Sequence, residues 1–467
     1  MLTFDAVSAK HSLWRSRSGG VKWERVFSGT QANADTLSMV ELSPQYGIGS
    51  RAVFLSGTSN GNPAMWKSAD NGQTFTYRSA PSSIDTWTVV NDNSLFLGSY
   101  NGTSGLVYST ENSGFFFSSG VAAGSQPLKS IALSPNYEQD EIIMVGNSNG
   151  WVYYSSDNGT SFKPLPKDAT SPPLTGSITV AFDAHFATDN TVYAVSNSAN
   201  KGIYRFIINK STKWERVDSS LPAGGTLGQL LVSADGTLYA ANSQSVNTTA
   251  SKGGMERSLN PTYSKGPTFE TVTLGLDDGV NLSGLWQQGK QLWSIDTQNT
   301  RVMTFADSLA RPVTLNSPAN KTSGTGTSKV TLKWETLSGA TEYKWQLDYD
   351  ADFSAVPADF EGDTEVSSAR LPALDTDTTY YWRVRATEPA LSPWSTEWSF
   401  TTGLGSTAVA PELYSPKAGA EAVSLKPLFQ WSAIDGASSY DLMAATNVFF
   451  DNPILSKTGG AALPATA

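Results

Sequence analysis

One turn sequence, used twice, constrains this chain more than any other feature. Ser68-Ala69-Asp70-Asn71-Gly72-Gln73-Thr74-Phe75 and Ser155-Ser156-Asp157-Asn158-Gly159-Thr160-Ser161-Phe162 both fit Ser-x-Asp-x-Gly-x-x-aromatic. Asp and Asn side chains accept hydrogen bonds from backbone N–H groups just downstream, and Gly supplies a positive φ, so each copy predicts a tight turn. Strand-forming residues precede both, Met65-Trp66-Lys67 and Trp151-Val152-Tyr153-Tyr154. The unit reads as a β-hairpin whose aromatic residue folds back onto its sheet.

The turns belong to a longer repeat. Leu42-Ser43-Pro44-Gln45-Tyr46 and Leu133-Ser134-Pro135-Asn136-Tyr137 lie 91 residues apart, and Phe75 and Phe162 lie 87 apart. Phe182-Asp183-Ala184-His185-Phe186 follows the second landmark after 49 residues. These spacings give a period of roughly 40–50 residues, that of an array or a propeller. Each repeat predicts four short strands, in the best-defined case Lys129–Leu133, Ile142–Gly146, Trp151–Ser155 and Phe162–Leu165. Repeats are expected to start near Thr36, Ile84, Leu128, Ile178, Gly228 and Val280, with partial ones at Leu2–Phe27 and after Asn281. Two incomplete ends predict ring closure by shared strands.

Other turns have decayed. Ser16 to Trp23 puts Ser18 where Asp belongs, and Ser109 to Gly114 reads as a shift of Asp to Glu and of Gly to Ser. Asn209 to Trp214 keeps little beyond the aromatic, and Arg257 to Phe269 is stretched. The two intact copies resemble the Asp-box (BNR) turn of β-propeller proteins, shared by sialidases, xyloglucanases, sortilin-type receptors and photosystem assembly factors. The resemblance implies an all-β propeller over residues 1–310, and the repeat starts with their two partial ends give seven blades, or six if the two ends form one. It also implies that Ser68, Asp70, Gly72, Phe75, Ser155, Asp157, Gly159 and Phe162 are structural, on the outer rim and away from the central channel.

A second architecture opens at Arg311-Pro312-Val313. Leu315-Asn316-Ser317-Pro318, Val330–Trp334, Tyr343–Leu347, Thr379–Ala386 and Trp398–Thr402 follow in order. Residues 311–403 thus resemble a fibronectin type III domain of bacterial extracellular proteins, a seven-stranded sandwich with a core Trp and a Tyr-rich late strand. Leu413-Tyr414-Ser415-Pro416, Trp431 and Tyr440 restart the pattern, and Tyr440 follows its Trp by 9 residues, as Tyr343 does. Residues 411–467 are therefore read as a second such sandwich, incomplete at its C-terminal side. Either the chain is a piece of a longer protein or another molecule completes this domain by strand addition.

Composition narrows the chemistry. The chain has no Cys, so it holds no disulfide and no thiol chemistry, and with only His11 and His185 it has no His-rich metal site. The formal charge is −10, with no clustered Lys/Arg, so nucleic acid is not an expected partner. From Pro312 to Thr402 there are 13 Asp and Glu against 7 Lys and Arg, a net of −6. No apolar run approaches the ~20 residues of a membrane span. Met1–Asp5 has neither a basic nor an apolar leader region. The domain types predict an extracellular or cell-surface location, with a leader removed.

Several constellations bear on activity. A sialidase needs an arginine triad and a Tyr–Glu pair, and the Arg-Ile-Pro motif is missing, while Arg51, Arg78, Arg205, Arg216 and Arg301 share no repeated position. Another glycosidase would need two carboxylates across a cleft. Asp35, Asp85, Asp277 and Asp278 qualify by position at a channel mouth, though each also reads as a plain turn residue. Asp348, Asp350 and Asp352 alternate as in the first half of a calcium loop, but Phe353 replaces its Gly and Asp359 its Glu. Calcium is the cation they would take, and no other cofactor is expected. Sequons at Asn101, Asn158, Asn209, Asn247, Asn281 and Asn320 permit glycosylation. Trp87 and Trp286 could stack on sugars, yet their apolar surroundings predict core packing.

The expectation is a non-catalytic extracellular structural or adhesive protein: an S-layer, sheath or filament-associated component. It would work through self-assembly or contacts with other surface proteins, with glycans as further partners. The alternative is a carbohydrate-active or carbohydrate-binding propeller with accessory sandwiches.

Overall fold

The computed structural model describes residues 1–464 except 30–32, 219–220, 265, 290, 389–390, 404–409, 435–436 and 438. Residues 465–467, at the end of the segment expected to form a second sandwich, thus lie outside the described residues. The chain divides into two compact units, Met1–Asp307 and Ser308–Ala467.

The first unit is a succession of antiparallel meanders. The first sheet comprises Leu2–Asp5, Lys10–Ser16 and Trp23–Ser28, and the second Ala34–Leu42, Val53–Ser59, Asn62–Ser68 and Thr76–Ser79. The third runs Thr86–Val89, Leu95–Tyr100, Gly105–Thr110 and Val121–Ala122, and the fourth Leu128–Leu133, Ile143–Asn147, Val152–Ser155 and Lys163–Pro164. The fifth is Ile178–Phe182, Thr191–Ser196, Ile203–Ile207 and Glu215–Arg216. The sixth is Leu227–Val232, Leu238–Asn242, Met255–Ser258 and Glu270–Val272, and the seventh Leu282–Gln288, Gln291–Asp296 and Arg301–Ala306. First strands of successive sheets, from the second to the seventh, lie against one another in chain order. The unit is a β-propeller.

The second strand of each middle sheet explains this stacking. Its residues are apolar on both faces, because each face packs on a different neighbour. Val192 and Ala194 join Met144, Val152 and Ile178 of the fourth and fifth sheets, whereas Tyr193 and Val195 join Leu227, Leu238 and Ala240 of the sixth. Leu238 and Ala240 face back, while Tyr239 and Ala241 meet Leu285 and Leu292 of the seventh. The ends meet without sharing strands: each forms its own three-stranded sheet. A Cβ added at Gly20 of the first sheet would lie 3.3 Å from the Trp293 ring of the seventh. The apolar landmark Tyr137 and its equivalent Phe186 begin single helical turns, Tyr137–Asp140 and Phe186–Asp189, between first and second strands.

In the second unit two sheets share one core. Leu315–Ser317, Thr331–Trp334 and Ser368–Arg370 form one sheet. Thr322–Thr325, Trp398–Thr402, Thr379–Glu388, Glu342–Asp348 and Glu361–Thr364 form the other, in that spatial order, with the first pair parallel. Leu332 and Trp334 of one sheet pack with Tyr343, Leu347, Trp382 and Phe400 of the other. The Tyr380 hydroxyl accepts the Asp375 N–H at 3.0 Å. Beyond them come the pairs Leu413–Ser415 with Gln430–Trp431, Ser439–Tyr440 with Leu463–Pro464, and Leu442–Ala444 with Leu455–Lys457. Tyr440 accepts the Ile434 N–H at 2.8 Å, as Tyr343 accepts the Leu337 N–H at 2.9 Å. Leu315 is 5% exposed and its counterpart Leu413 is 72% exposed.

Candidate functional site

Both intact turns are closed by their own side chains. Ser68 Oγ donates to Asp70 Oδ1 at 2.7 Å and accepts the Gly72 N–H at 2.8 Å. Asp70 Oδ1 also accepts the N–H groups of Gln73 and Thr74 at 2.9 Å, and its Oδ2 accepts the Thr74 hydroxyl at 2.6 Å. These bonds, those of Thr74 first, hold its carboxyl down to about 2. Around Asp157, Ser155 Oγ donates at 2.7 Å, and Ser161 contributes its N–H at 3.0 Å and its hydroxyl at 2.5 Å. Burial raises the Asp157 carboxyl, but the hydroxyls of Ser161 and Ser155 outweigh it and the net shift is downward. Gly72 and Gly159 have φ of 81° and 74°. Added Cβ atoms there would lie 3.4 Å from Val26 and from Ile143 and Phe96. Phe75 packs on Phe27 at 4.9 Å, and Phe162 packs among Phe96 and Ile143, so each turn anchors on the preceding sheet.

The third sheet corrects one alignment. Thr110 Oγ1 donates to Asn112 Oδ1 at 3.0 Å, Gly114 N–H donates to Thr110 Oγ1 at 3.0 Å, and Phe116 N–H donates to Asn112 Oδ1 at 2.9 Å. The turn is therefore Thr110-x-Asn112-x-Gly114-x-x-Phe117, one residue later than the sequence reading. An Asn amide oxygen replaces the Asp carboxylate, and Glu111 is not used. The polar pairs Gln73-Thr74 and Thr160-Ser161 of the intact turns become Phe115-Phe116, which are 63% and 79% exposed. The Arg78 guanidinium of the second sheet stacks 3.7 Å from the centroid of Phe115. Tyr77 beside it is 46% exposed.

The carboxylates expected at a channel mouth are engaged separately. Asp35 Oδ2 accepts the Gly61 N–H at 2.7 Å. Burial raises Asp85, opposed by the charge of Lys129. Asp277 lies 3.3 Å from Arg301 Nη2, and Asp278 Oδ1 accepts the Thr248 N–H at 2.7 Å and hydroxyl at 2.8 Å. First strands of neighbouring sheets are tied directly. The Val89 N–H donates to Glu41 Oε1 at 3.2 Å, Ser130 Oγ donates to the Ile178 carbonyl at 3.0 Å, and Thr179 Oγ1 donates to the Gly228 carbonyl at 3.1 Å. Burial pushes the Glu41 carboxyl up to about 7.

Asp348 is buried and its Oδ1 accepts the Tyr349 N–H at 2.7 Å. Asp350 and Asp352 are exposed, and Asp352 Oδ1 accepts the Ser354 N–H at 3.0 Å. Among the described residues no three His, Cys, Asp or Glu side chains are grouped to hold a metal ion. Trp87 is buried in the core between the second and third sheets. Trp286 departs from the expected core packing and is 51% exposed, because the pairing of its strand is irregular between Ser283 and Trp286.

Sequence reading missed a recurring cation. In the third strand, Lys67, Arg205 and Arg257 pair across from Phe54, Tyr193 and Tyr239 of the second. Each reaches the next sheet. Lys67 Nζ donates to the Asp92 carbonyl and, at 2.8 Å, to Ser113 Oγ. Arg205 donates to the carbonyls of Pro261 and Tyr263 at 2.9 and 3.0 Å. Arg257 Nη1 binds Asp307 at 2.5 and 2.6 Å. Arg15, in the first sheet, donates to the Asn71 carbonyl of the second sheet's turn. A basic residue directly before the first turn position, as in Arg15-Ser16, Lys67-Ser68 and Arg257-Ser258, was the available signal.

No family model and no curated protein sequence matches the chain. Among solved structures, it is similar to Sqt1 of Saccharomyces cerevisiae, with 13% identity, 65% of this chain and 80% of that one covered, and a TM-score of 0.45. It is also similar to YCF48 bound to D1 peptide, with 14% identity, 61% and 82% coverage and a TM-score of 0.42. A third is the Dos1 propeller, with 12% identity, 51% and 64% coverage and a TM-score of 0.37. The propeller class rests on the chain's own sheets.

Proposed function

We propose that this chain is a non-catalytic extracellular surface protein, a structural or adhesive component of an S-layer, sheath or filament. In this reading it is a seven-bladed Asp-box propeller followed by fibronectin type III-like sandwiches, and it acts through protein–protein contacts, self-assembly foremost. The seven sheets and the Gly20–Trp293 contact support the blade count. The three- and five-stranded sheets and the Tyr380–Asp375 bond support the fibronectin-like assignment.

The observation that carries the function is Phe115-Phe116. The turn needs neither side chain, because the intact copies place polar residues there. Two adjacent exposed aromatics that a fold does not require mark a contact surface. The double variant Phe115→Gln/Phe116→Thr copies the intact turn of the second sheet. Sedimentation velocity should show concentration-dependent association of the parent, with and without calcium as the cation Asp348, Asp350 and Asp352 would take. The double variant should stay monomeric. Equal association of both would refute this surface.

Trp286 favours a second reading, a carbohydrate-binding propeller, since an exposed indole is a stacking platform for a sugar ring. A glycan array with Trp286→Ala as the control tests it.

A further inference from the structure

The first strands of the sixth and seventh sheets both lose regular pairing, between Leu227 and Gln229 and between Ser283 and Trp286. Such an irregularity bends its strand and re-aims the side chains beside it. A cleft of about 190 Å³ lies between the two strands. Gln229 and Ser243 line it on the side of the sixth sheet, and Asn281, Ser283, Gly284 and Thr297 on the side of the seventh. One wall is fixed by hydrogen bonds. Asn281 Nδ2 donates to the Ser243 carbonyl at 2.8 Å, and the Thr297 N–H donates to the Asn281 carbonyl at 2.9 Å. Gln229 and Ser283 are exposed, and among the described residues their side chains take no hydrogen-bond partner. None of the described residues that line the cleft is charged.

Trp286 sits against the same wall. A Cβ added at Gly284 would lie 2.0 Å from the six-membered ring of the Trp286 indole. Gly284 is buried at φ 74°, and its carbonyl accepts Ser294 Oγ at 2.7 Å. Only glycine fits both that conformation and that approach. The indole is thus seated on pinned backbone while it remains 51% exposed. An aromatic ring held in place before binding loses little rotamer freedom when a ligand arrives.

We propose that the cleft and the Trp286 indole form one binding site for a neutral sugar ring. The proposal rests on the carbohydrate-binding reading of Trp286 and names the site and the class of sugar. The C–H bonds on one face of the sugar meet the electron-rich face of the indole. Its hydroxyls bond to the Gln229 amide and the Ser283 hydroxyl, which both donate and accept. A charged sugar would lose hydration in the cleft and find no counter-charge there. The volume is below the roughly 300–1,000 Å³ of sites that enclose a drug-sized ligand, so one ring enters and the rest of a glycan stays outside.

The whole chain is labelled with 5-fluorotryptophan and followed by ¹⁹F NMR. The probes are the methyl glycosides of glucose, galactose, mannose and N-acetylglucosamine, with glucuronate and sialic acid as the charged ones. The Trp286 signal is the one that Trp286→Phe removes. At least one neutral glycoside should move it, and neither acid should. Gln229→Ala should weaken that binding roughly tenfold, the effect of one lost hydrogen bond, with an unchanged melting temperature. Gly284→Ala should displace the indole and abolish binding; if it does not fold, Gln229→Ala carries the test. A Trp286 signal that no neutral glycoside moves, one that the acids move equally, or a Gln229→Ala affinity equal to the parent's would overturn the proposal. A glycan array separates the two failures. Glycan binding lost in Trp286→Ala but undiminished in Gln229→Ala removes this cleft and leaves the carbohydrate reading standing. A parent that binds no glycan removes both.

Discussion

At the scale of single residues, the turn carboxylates do mechanical work that their acidity reports. Asp70 satisfies two N–H groups and a hydroxyl from residues three and four positions on. Asp157→Ala should lower stability by about 1–2 kcal/mol, read by urea denaturation, because it leaves turn donors unpaired. Asp157→Asn, which keeps an acceptor as Asn112 does, should cost less. The folded pKa of Asp70 is depressed. Its stabilisation is present above the ordinary value near ~3.9 and is lost as pH falls through about 2. A melting temperature that falls less steeply in acid for Asp70→Asn than for the parent checks the sign. These turns were legible because the side-chain hydrogen bonds that close each of them lie within eight residues. The decayed turn of the third sheet was misread by one position, since Asn112 does the work of an Asp and Glu111 draws the eye.

At the scale of elements, strand positions followed from apolar runs buried on both faces, and observed starts such as Leu128 and Ile178 coincide with those expected. The ties between sheets did not follow. Arg15, Lys67, Arg205 and Arg257 sit at matching positions, but their partners lie dozens of residues on, in turns of unequal length. Arg257 is fully buried against Asp307. Arg257→Met should therefore cost roughly 3–5 kcal/mol, because it strands a buried carboxylate. Adding Asp307→Asn should recover part of that loss, measured by chemical denaturation of both proteins. Glu41 ties the first strands of the second and third sheets with its carboxyl raised to about 7. Its contribution is fully present below the ordinary Glu range and is lost as pH rises through about 7. Glu41→Gln should flatten the decline in stability over that window by something on the order of 1–3 kcal/mol. An unchanged slope would remove Glu41 from the account.

At the scale of the whole molecule, repeat period and turn chemistry announced a propeller. Neither could announce how the ends meet. The contact between Gly20 and Trp293 joins the two ends of the first unit, and no local pattern encodes a pairing so distant in sequence. Trp286 escaped for a related reason: an irregular strand turns it outward where alternation would bury it. Trp293→Ala should cost roughly 2 kcal/mol and lower the cooperativity of unfolding, read from the steepness of the denaturant transition. An unaltered transition would mean that closure does not depend on this contact. The functional claim belongs to this scale as well, because assembly is a property of surfaces. It is tested most directly by negative-stain electron microscopy of the purified chain and of Phe115→Gln/Phe116→Thr, each with calcium and then with chelator. Sheets, tubes or filaments of the parent that are lost in the double variant are the predicted result. Isolated particles of the parent under both conditions would contradict it.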